Sequence, residues 1–404
     1  MTTKRTIDQV DVQDRRTLMR VDFNVPLSSE GAIADDRRIR AALPSIRNVL
    51  ERGGSLVLVS HLGRPKGEGY EPSLSLQPCA RRLSELLGKD VLFPSTSCVD
   101  EAARGAVASL APGQAALLEN LRFEKGERTS DPAFVQTLAS YGDIYCNEAF
   151  GACHRSDASM VAVPRAMEGR PRVMGLLVRD EIAAISKAVE APEKPFVAVL
   201  GGAKVSDKIG VVEHLIPKAD AVCIGGAMAY TFLAALGKSV GESRVETDRV
   251  ADAKRMLDLA AEEECDLMLP VDHVCSTEFA EKSGDVSVEE DEIPAGRMGL
   301  DIGPRTQTNY CAALGRARTI VWNGPMGVFE WAPFAVGTQQ IAHAVADATQ
   351  RNGAHSVLGG GETALAAERF GVADKVSHVS TGGGASLALM AGEQLPAVEV
   401  LDDA

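Results

Sequence analysis

The sequence predicts an α/β protein made of two doubly wound, Rossmann-like parallel-sheet domains, joined by a helix and with a cleft between them. Three observations predict it. Short apolar runs recur along the chain, each ending in glycine or a polar group. Segments of helical periodicity separate them. A stretch rich in Pro, Gly and Arg interrupts the alternation in "VPRAMEGRPRVMG" (163–175).

The first run, "LMRVDFNVPL" (18–27), would place Met19, Val21, Phe23 and Val25 on one face of a strand and Arg20, Asp22 and Asn24 on the other. The ionic row either faces solvent on an edge strand or converges on a ligand at the strand's end. Pro26 stops the pairing. Residues 55–65, 115–126, 142–151, 196–204, 221–228, 266–272, 319–327, 356–363 and 377–384 supply further runs. Short and apolar on both faces, they fit parallel sheets covered by helices. Residues 245–264, with Asp248 in the N-cap region, and 338–350 carry helical periodicity, as does a stretch from about 176 to 189 just after the break. The expected organisation is a first domain over 1–172, a linker and helix over 173–190, and a second domain over 191–386. A length of 404 residues accommodates two domains.

Composition narrows the function classes. The chain is 45% hydrophobic and 24% charged without a long apolar run, and its N-terminus "MTTKRTIDQV" lacks the apolar core of a secretory signal, so a cytoplasmic protein without a membrane partner is expected. A net charge of −14 argues against nucleic-acid binding. It also makes any local cluster of arginines informative. The eight cysteines form no C-x-x-C pair, so neither a zinc site nor a disulfide framework is signalled. Cys146 and Cys153 flank a polar cluster and are reactive only if exposed with a lowered pKa.

The two halves carry different chemistry. In the first, Arg38, His61, Arg64, Arg122, His154 and Arg155 fall near strand ends, and guanidinium forks match phosphate and carboxylate oxygens. With Asp22 and Asn24 they describe a pocket for a small, multiply anionic molecule bearing a hydroxyl. In the second, "GGAKVSDK", "GGAM", "NGPMG", "GGGET" and "STGGGAS" precede helical segments, where free backbone amides can hold phosphate. Neither the usual P-loop nor the dinucleotide fingerprint spacing is present, which argues against a nicotinamide-dependent oxidoreductase. An anion pocket and a nucleotide pocket together suggest phosphoryl transfer, with Arg38, Lys204 and Lys208 neutralising charge.

"RVDFNVP", "SHLGRP", "ENLRFEKGE", "AFGACHR", "VLGGAKVSDKI", "MGLDIGP", "WNGPMGVFE" and "HVSTGGGASL" resemble, in order, the signature segments of the phosphoglycerate kinases. The resemblance implies a monomeric two-domain enzyme, with residues 387–404 packing back on the first domain. It would move a phosphoryl group between 1,3-bisphosphoglycerate and ADP, giving 3-phosphoglycerate and ATP, with Mg2+. It further implies that Asp22, Phe23 and Asn24 border the glycerate; that His61, Leu62, Gly63, Arg64, Arg122 and Arg155 hold its 3-phosphate; and that Arg38 stands at the carboxyl end. Lys204 would accompany the transferring group, with Gly361 and Gly383 also placed at the catalytic centre. Gly202, Lys208, Gly225, Asn323, Glu330 and the segment Gly360, Gly361, Glu362 and Thr363 would bind nucleotide, Glu362 reaching its magnesium. No general base is needed, because the acceptor carboxylate is already ionised at neutral pH.

Four positions depart from the family pattern. Glu362 stands where Asp is expected, one methylene longer at a contact to an octahedral ion. Glu148, Cys153 and Asp157 stand where Asp, Ala and His are usual, and altered substrate affinity is the expected consequence. Glu362 also motivates a second reading, a catalytically weak nucleotide-binding or scaffold protein.

Overall fold

The structure is a computed structural model and describes residues 3–28, 30–282 and 284–404. The chain divides into two compact units. One runs to Ile182 and is completed by Gln394–Ala404; the other is Ala183–Glu393. The helix Leu176–Glu190 carries the chain from the first to the second. No helix among the described residues is long and apolar enough to cross a membrane.

In the first unit β1 (Arg16–Val21), β2 (Ser55–Val59), β3 (Val91–Leu92), β4 (Ala115–Leu117), β5 (Ile144–Glu148) and β6 (Arg172–Met174) form a parallel sheet in the order β3-β4-β2-β1-β5-β6. β1 is therefore central, and the edge-strand reading of its ionic row fails. Met19, Val21, Phe23 and Val25 join the core beneath the helix Arg37–Glu51, which contributes Ile39, Ala42, Ile46 and Val49. Arg20, on the opposite face, is fully buried as well. Arg38 does not sit at a strand end but in the first turn of that helix. The C-terminal segment is tied in by an Arg172–Asp402 ion pair at 2.7 Å and by Asn147 Nδ2, which donates to the Ala397 carbonyl at 3.3 Å.

In the second unit β7 (Phe196–Leu200), β8 (Ala221–Ile224), β9 (Asp266–Met268), β13 (Thr319–Asn323), β14 (His355–Gly359) and β15 (His378–Val379) form a parallel sheet in the order β15-β14-β13-β7-β8-β9. The order reverses between β7 and β13, and ligands collect at the carboxyl ends beside such a switch. A small antiparallel sheet that the sequence reading missed consists of β10 (Asp272–Ser276), β11 (Val286–Glu290) and β12 (Met298–Ile302). Asp248 is not an N-cap. It lies in a 3₁₀ turn, Thr247–Arg249, that leads into the helix Val250–Glu262 and makes the approach without a capping side chain.

Of the departures from the family pattern, Cys153 and Glu148 are interior. Cys153 and Cys146 are fully buried thiols whose pKa burial raises, so they are not reactive. Glu148 ends β5 and accepts the Leu177 amide on both oxygens at 3.2 Å, while Ser45 Oγ accepts the Leu176 amide at 2.7 Å. Together they satisfy first-turn amides of the helix Leu176–Glu190. Burial pushes the Glu148 carboxyl up to about 7. A carboxyl raised on folding binds more protons in the native than in the unfolded state. Its contribution is thus present below the unfolded pKa and lost as pH rises through about 7. In urea titrations the wild type should lose roughly 2 kcal/mol relative to Glu148→Gln between pH about 5 and about 8. A difference independent of pH contradicts this assignment.

Candidate functional site

Polar side chains converge where the first sheet's central strands end. Asp22, just past β1, pairs with Arg38 Nη1 at 2.8 Å. Asn24 Oδ1 accepts the Gly63 amide at 2.8 Å, tying the end of β1 to the loop after β2. Gly63 has φ of +62°, and a Cβ there would meet Leu74 Cδ2 at 2.7 Å, so the turn needs glycine. Its carbonyl accepts Arg122 Nη1 at 3.0 Å, and Arg122 Nη2 pairs with Asp157 at 3.2 Å. Arg122 Nε is buried and has no partner among the described residues.

His61 sits at the centre of this charge. It is 2% exposed, and burial, then Arg20, Arg122, Arg155 and Arg38, hold its pKa well below the usual imidazole range. Nδ1 lies 3.0 Å from Arg20 Nη2, while Nε2 is buried without a partner among the described residues. Burial and the neighbouring Arg122 also lower Arg155. The structure thus brings Asp22, Asn24, Arg38, His61, Arg122 and Arg155 together. Other predicted residues play different parts locally. The Phe23 ring lies in the core and its amide donates to Ser60 Oγ at 2.9 Å. Leu62 is buried, with its amide and carbonyl bonded to the Asn120 side chain. Arg64 is exposed. Arg20 was missed as a site residue, although its alternation with Asp22 and Asn24 was visible.

The second unit holds a pocket of about 640 Å³ at the carboxyl ends of β7, β8 and β13. Ala227, Phe279, Met298, Leu300, Val328 and Trp331 give it apolar walls, the Phe279 and Trp331 ring centroids lying 4.6 Å apart. Glu242, Arg244, Glu330 and Glu362 add charge at its lining. The floor is backbone. The Gly202 amide donates to the Pro325 carbonyl at 3.0 Å and the Gly226 amide to the Met326 carbonyl at 2.9 Å. Gly226 has φ of +66°, and a Cβ there would stand 2.5 Å from Gly202 N, which side-chain-bearing residues cannot accommodate. Gly225 is not the lining residue: a Cβ there would strike Met326 Sδ at 2.4 Å, so it packs beneath the pocket.

Lys208, the N-cap of the helix Ile209–Leu215, is buried, donates to Asn323 Oδ1, and has its pKa lowered by burial against the pull of Glu362. Asn323 Nδ2 is buried without a partner among the described residues and lies 3.3 Å from where a Gly360 Cβ would be. The helices Gly361–Arg369 and Gly383–Met390 bring their first residues together, the Gly361 nitrogen lying 3.9 Å from a Cβ built on Gly383. Paired helix N-termini make a ready site for phosphate. Thr363 is buried and accepts the Gly324 amide at 2.7 Å, which makes it a brace for the loop. Lys204 is exposed in the loop after β7. Asp301 also went unread: its oxygens accept the Gly337 and Ile302 amides at 2.7 and 2.9 Å, and burial pushes it up to about 8. Its signal was the polar residue inside "MGLDIGP". Phe279, in an aperiodic stretch, left none.

A family model described as "Phosphoglycerate kinase" matches residues 7–393. The chain belongs to the phosphoglycerate kinase family. It is 53% identical to the phosphoglycerate kinase of Rhodopirellula baltica, covering 99% of this chain and 100% of that one. It is 45% identical to the protein named "Phosphoglycerate kinase, cytosolic" of Trypanosoma congolense, over 99% and 98% of the two chains. The solved phosphoglycerate kinase of Coxiella burnetii superposes with a TM-score of 0.87 at 37% identity, and that of Pyrococcus horikoshii with 0.84 at 35%, each covering 98% of both chains.

Asp157 offers Arg122 an internal partner, which would compete with an anion bound there. Asp157→Asn should tighten 3-phosphoglycerate binding in calorimetric titration by roughly 5-fold, equivalent to about 1 kcal/mol. Weaker binding by the variant contradicts that competition.

Proposed function

We propose that the chain transfers a phosphoryl group reversibly between the acyl phosphate of 1,3-bisphosphoglycerate and ADP, giving 3-phosphoglycerate and ATP. The observation that carries the reading is the cluster of buried His61 and Arg122 with half-buried Arg155, in which Nε2 of His61 and Nε of Arg122 lack partners among the described residues. A phosphate supplies the missing acceptors and negative charge at once. Asp22, Asn24 and the Gly63 turn then border the glycerate, with Arg64 at the rim and Arg38 at its carboxyl end. Phe23 and Leu62 shape this site from the core. In the second unit the apolar pocket takes the adenosine, Glu330 the ribose hydroxyls, and Gly202, Lys208, Asn323 and Gly360 the phosphates.

The attacking carboxylate is ionised at neutral pH, so catalysis reduces to alignment and charge neutralisation. Arg38 in the first unit, and Lys204 with the amides at Gly361 and Gly383 in the second, each supply positive charge or donors suited to the oxygens of a transferring phosphoryl group. His61, held neutral by burial and by the arginines around it, donates a hydrogen bond and takes no proton. No group of three or more His, Cys, Asp or Glu side chains among the described residues could hold a metal. Glu362, exposed at the pocket together with Glu242 and Glu330, would reach a magnesium ion carried by the nucleotide, with phosphate oxygens as further ligands. When bound it neutralises phosphate charge. We further infer a cytoplasmic monomer acting on small molecules, without nucleic-acid or membrane partners; the net charge of −14 supports the absence of nucleic acid. The catalytically weak alternative rests on Glu362 alone, and the full-length family match does not favour it.

In an assay coupling ATP-dependent turnover to NADH oxidation, Arg38→Ala should lower kcat by about 100-fold or more while leaving ADP affinity within about 2-fold. Intact turnover in the variant would remove Arg38 from the transferring end.

A further inference from the structure

Behind the candidate anion site lies a buried polar chain that the phosphoryl-transfer chemistry does not itself use. Glu127, in the short helix Gly126–Thr129, is fully buried, and both of its oxygens are taken by one residue. Oε2 accepts the Ser159 amide at 2.9 Å and Oε1 the Ser159 hydroxyl at 2.6 Å. A hydroxyl has one hydrogen, so Ser159 Oγ can meet its other neighbour only as an acceptor. That neighbour is Arg20 Nε–H at 3.0 Å. Arg20 Nη1 donates to the Val21 carbonyl, and Nη2 stands 3.0 Å from His61 Nδ1.

A guanidinium has donors and no acceptor. His61 Nδ1 must therefore accept, which places the imidazole proton on Nε2 and excludes the imidazolium at this contact. Nε2 is the nitrogen left buried and unpartnered. Glu127 also supplies negative charge for Arg20, which is itself fully buried. The segments are fixed independently, since Ala158 N donates to the Glu127 carbonyl at 2.8 Å and the Tyr145 hydroxyl to the Ser159 carbonyl at 2.8 Å.

We infer that Glu127 and Ser159 are positioning residues for the substrate site, holding Arg20 so that His61 is locked as the Nε2–H tautomer and presents that hydrogen to the substrate's phosphate. The role in binding rests on the reading that His61 faces 3-phosphoglycerate; the tautomer does not.

Long-range 1H–15N spectra of the histidine-labelled, unliganded protein test it, with His61 assigned by its loss in His61→Gln. At pH about 8, above the value of about 7 to which burial pushes Glu127, the wild type should show an unprotonated Nδ1 and a protonated Nε2 at His61. Ser159→Ala and Glu127→Gln should shift it to a tautomer mixture. Both should raise KM for 3-phosphoglycerate by about 10-fold, the worth of one charge-assisted hydrogen bond, with kcat and KM for ATP changing less. Ser159→Thr, which keeps the hydroxyl, should restore the wild-type signal. A protonated Nδ1 in the wild type overturns the inference without recourse to any variant, as do variants that leave both tautomer and KM unchanged. Failure of added 3-phosphoglycerate to move the wild-type His61 signals would count against the substrate-site reading alone.

Discussion

Guanidinium groups do not gather around a buried imidazole without a counter-charge, and that constraint organises the first unit. Arg20, Arg122, Arg155 and Arg38 all act on His61, and only part of their charge is answered internally, by Asp22, Asp157 and Glu127. The arrangement runs against the chain's net charge of −14, so the positive field is local and built by the fold. It is held by strands ending at a common edge, since β1, β2, β4 and β5 deliver Asp22, His61, Arg122 and Arg155 from four separate parts of the sequence.

The second unit is built by other means. Its side chains offer little charge to phosphate beyond Lys204 and Lys208, and what replaces it is backbone. Gly202 and Gly226 let loops after β7, β8 and β13 touch amide to carbonyl, and Gly361 and Gly383 open two neighbouring helices. Apolar walls around Phe279 and Trp331 suit a flat ring, while fixed amide dipoles suit oxygens. Asp301 braces this floor from within, because a Cβ on Gly327 or Gly337 would collide with its carboxylate. One unit thus concentrates side-chain charge and the other presents main-chain donors.

Much of the fold was legible because a buried parallel strand has an unmistakable sequence. "SLVLV" and "FVAVL" are apolar on both faces and end in turn residues. β3 and β6 are two and three residues long and carry too little pattern to read. β11, "VSVEE", pairs on a small antiparallel sheet where half its side chains meet solvent, so its short polar alternation resembled a loop. In the site, polar residues just beyond apolar runs stood out, which is why Asp22, Asn24, His61 and Arg122 could be singled out. Orientation could not be read. Phe23 lies inside a signature segment and Thr363 inside "GGGET", yet they face the core and a neighbouring loop, and Gly225 and Gly226 are adjacent but only the second lines the pocket. Arg20 and Glu127 stayed hidden because a buried charge has the same letter as an exposed one.

The most direct test of this account is a crystal soaked with 3-phosphoglycerate and a non-transferring nucleotide analogue. The account predicts phosphate density within hydrogen-bond reach of His61 Nε2, Arg122 and Arg155, and the analogue's phosphates at the Gly361 and Gly383 amides. Density for the substrate phosphate elsewhere, with His61 Nε2 and Arg122 Nε still unpartnered, would contradict it.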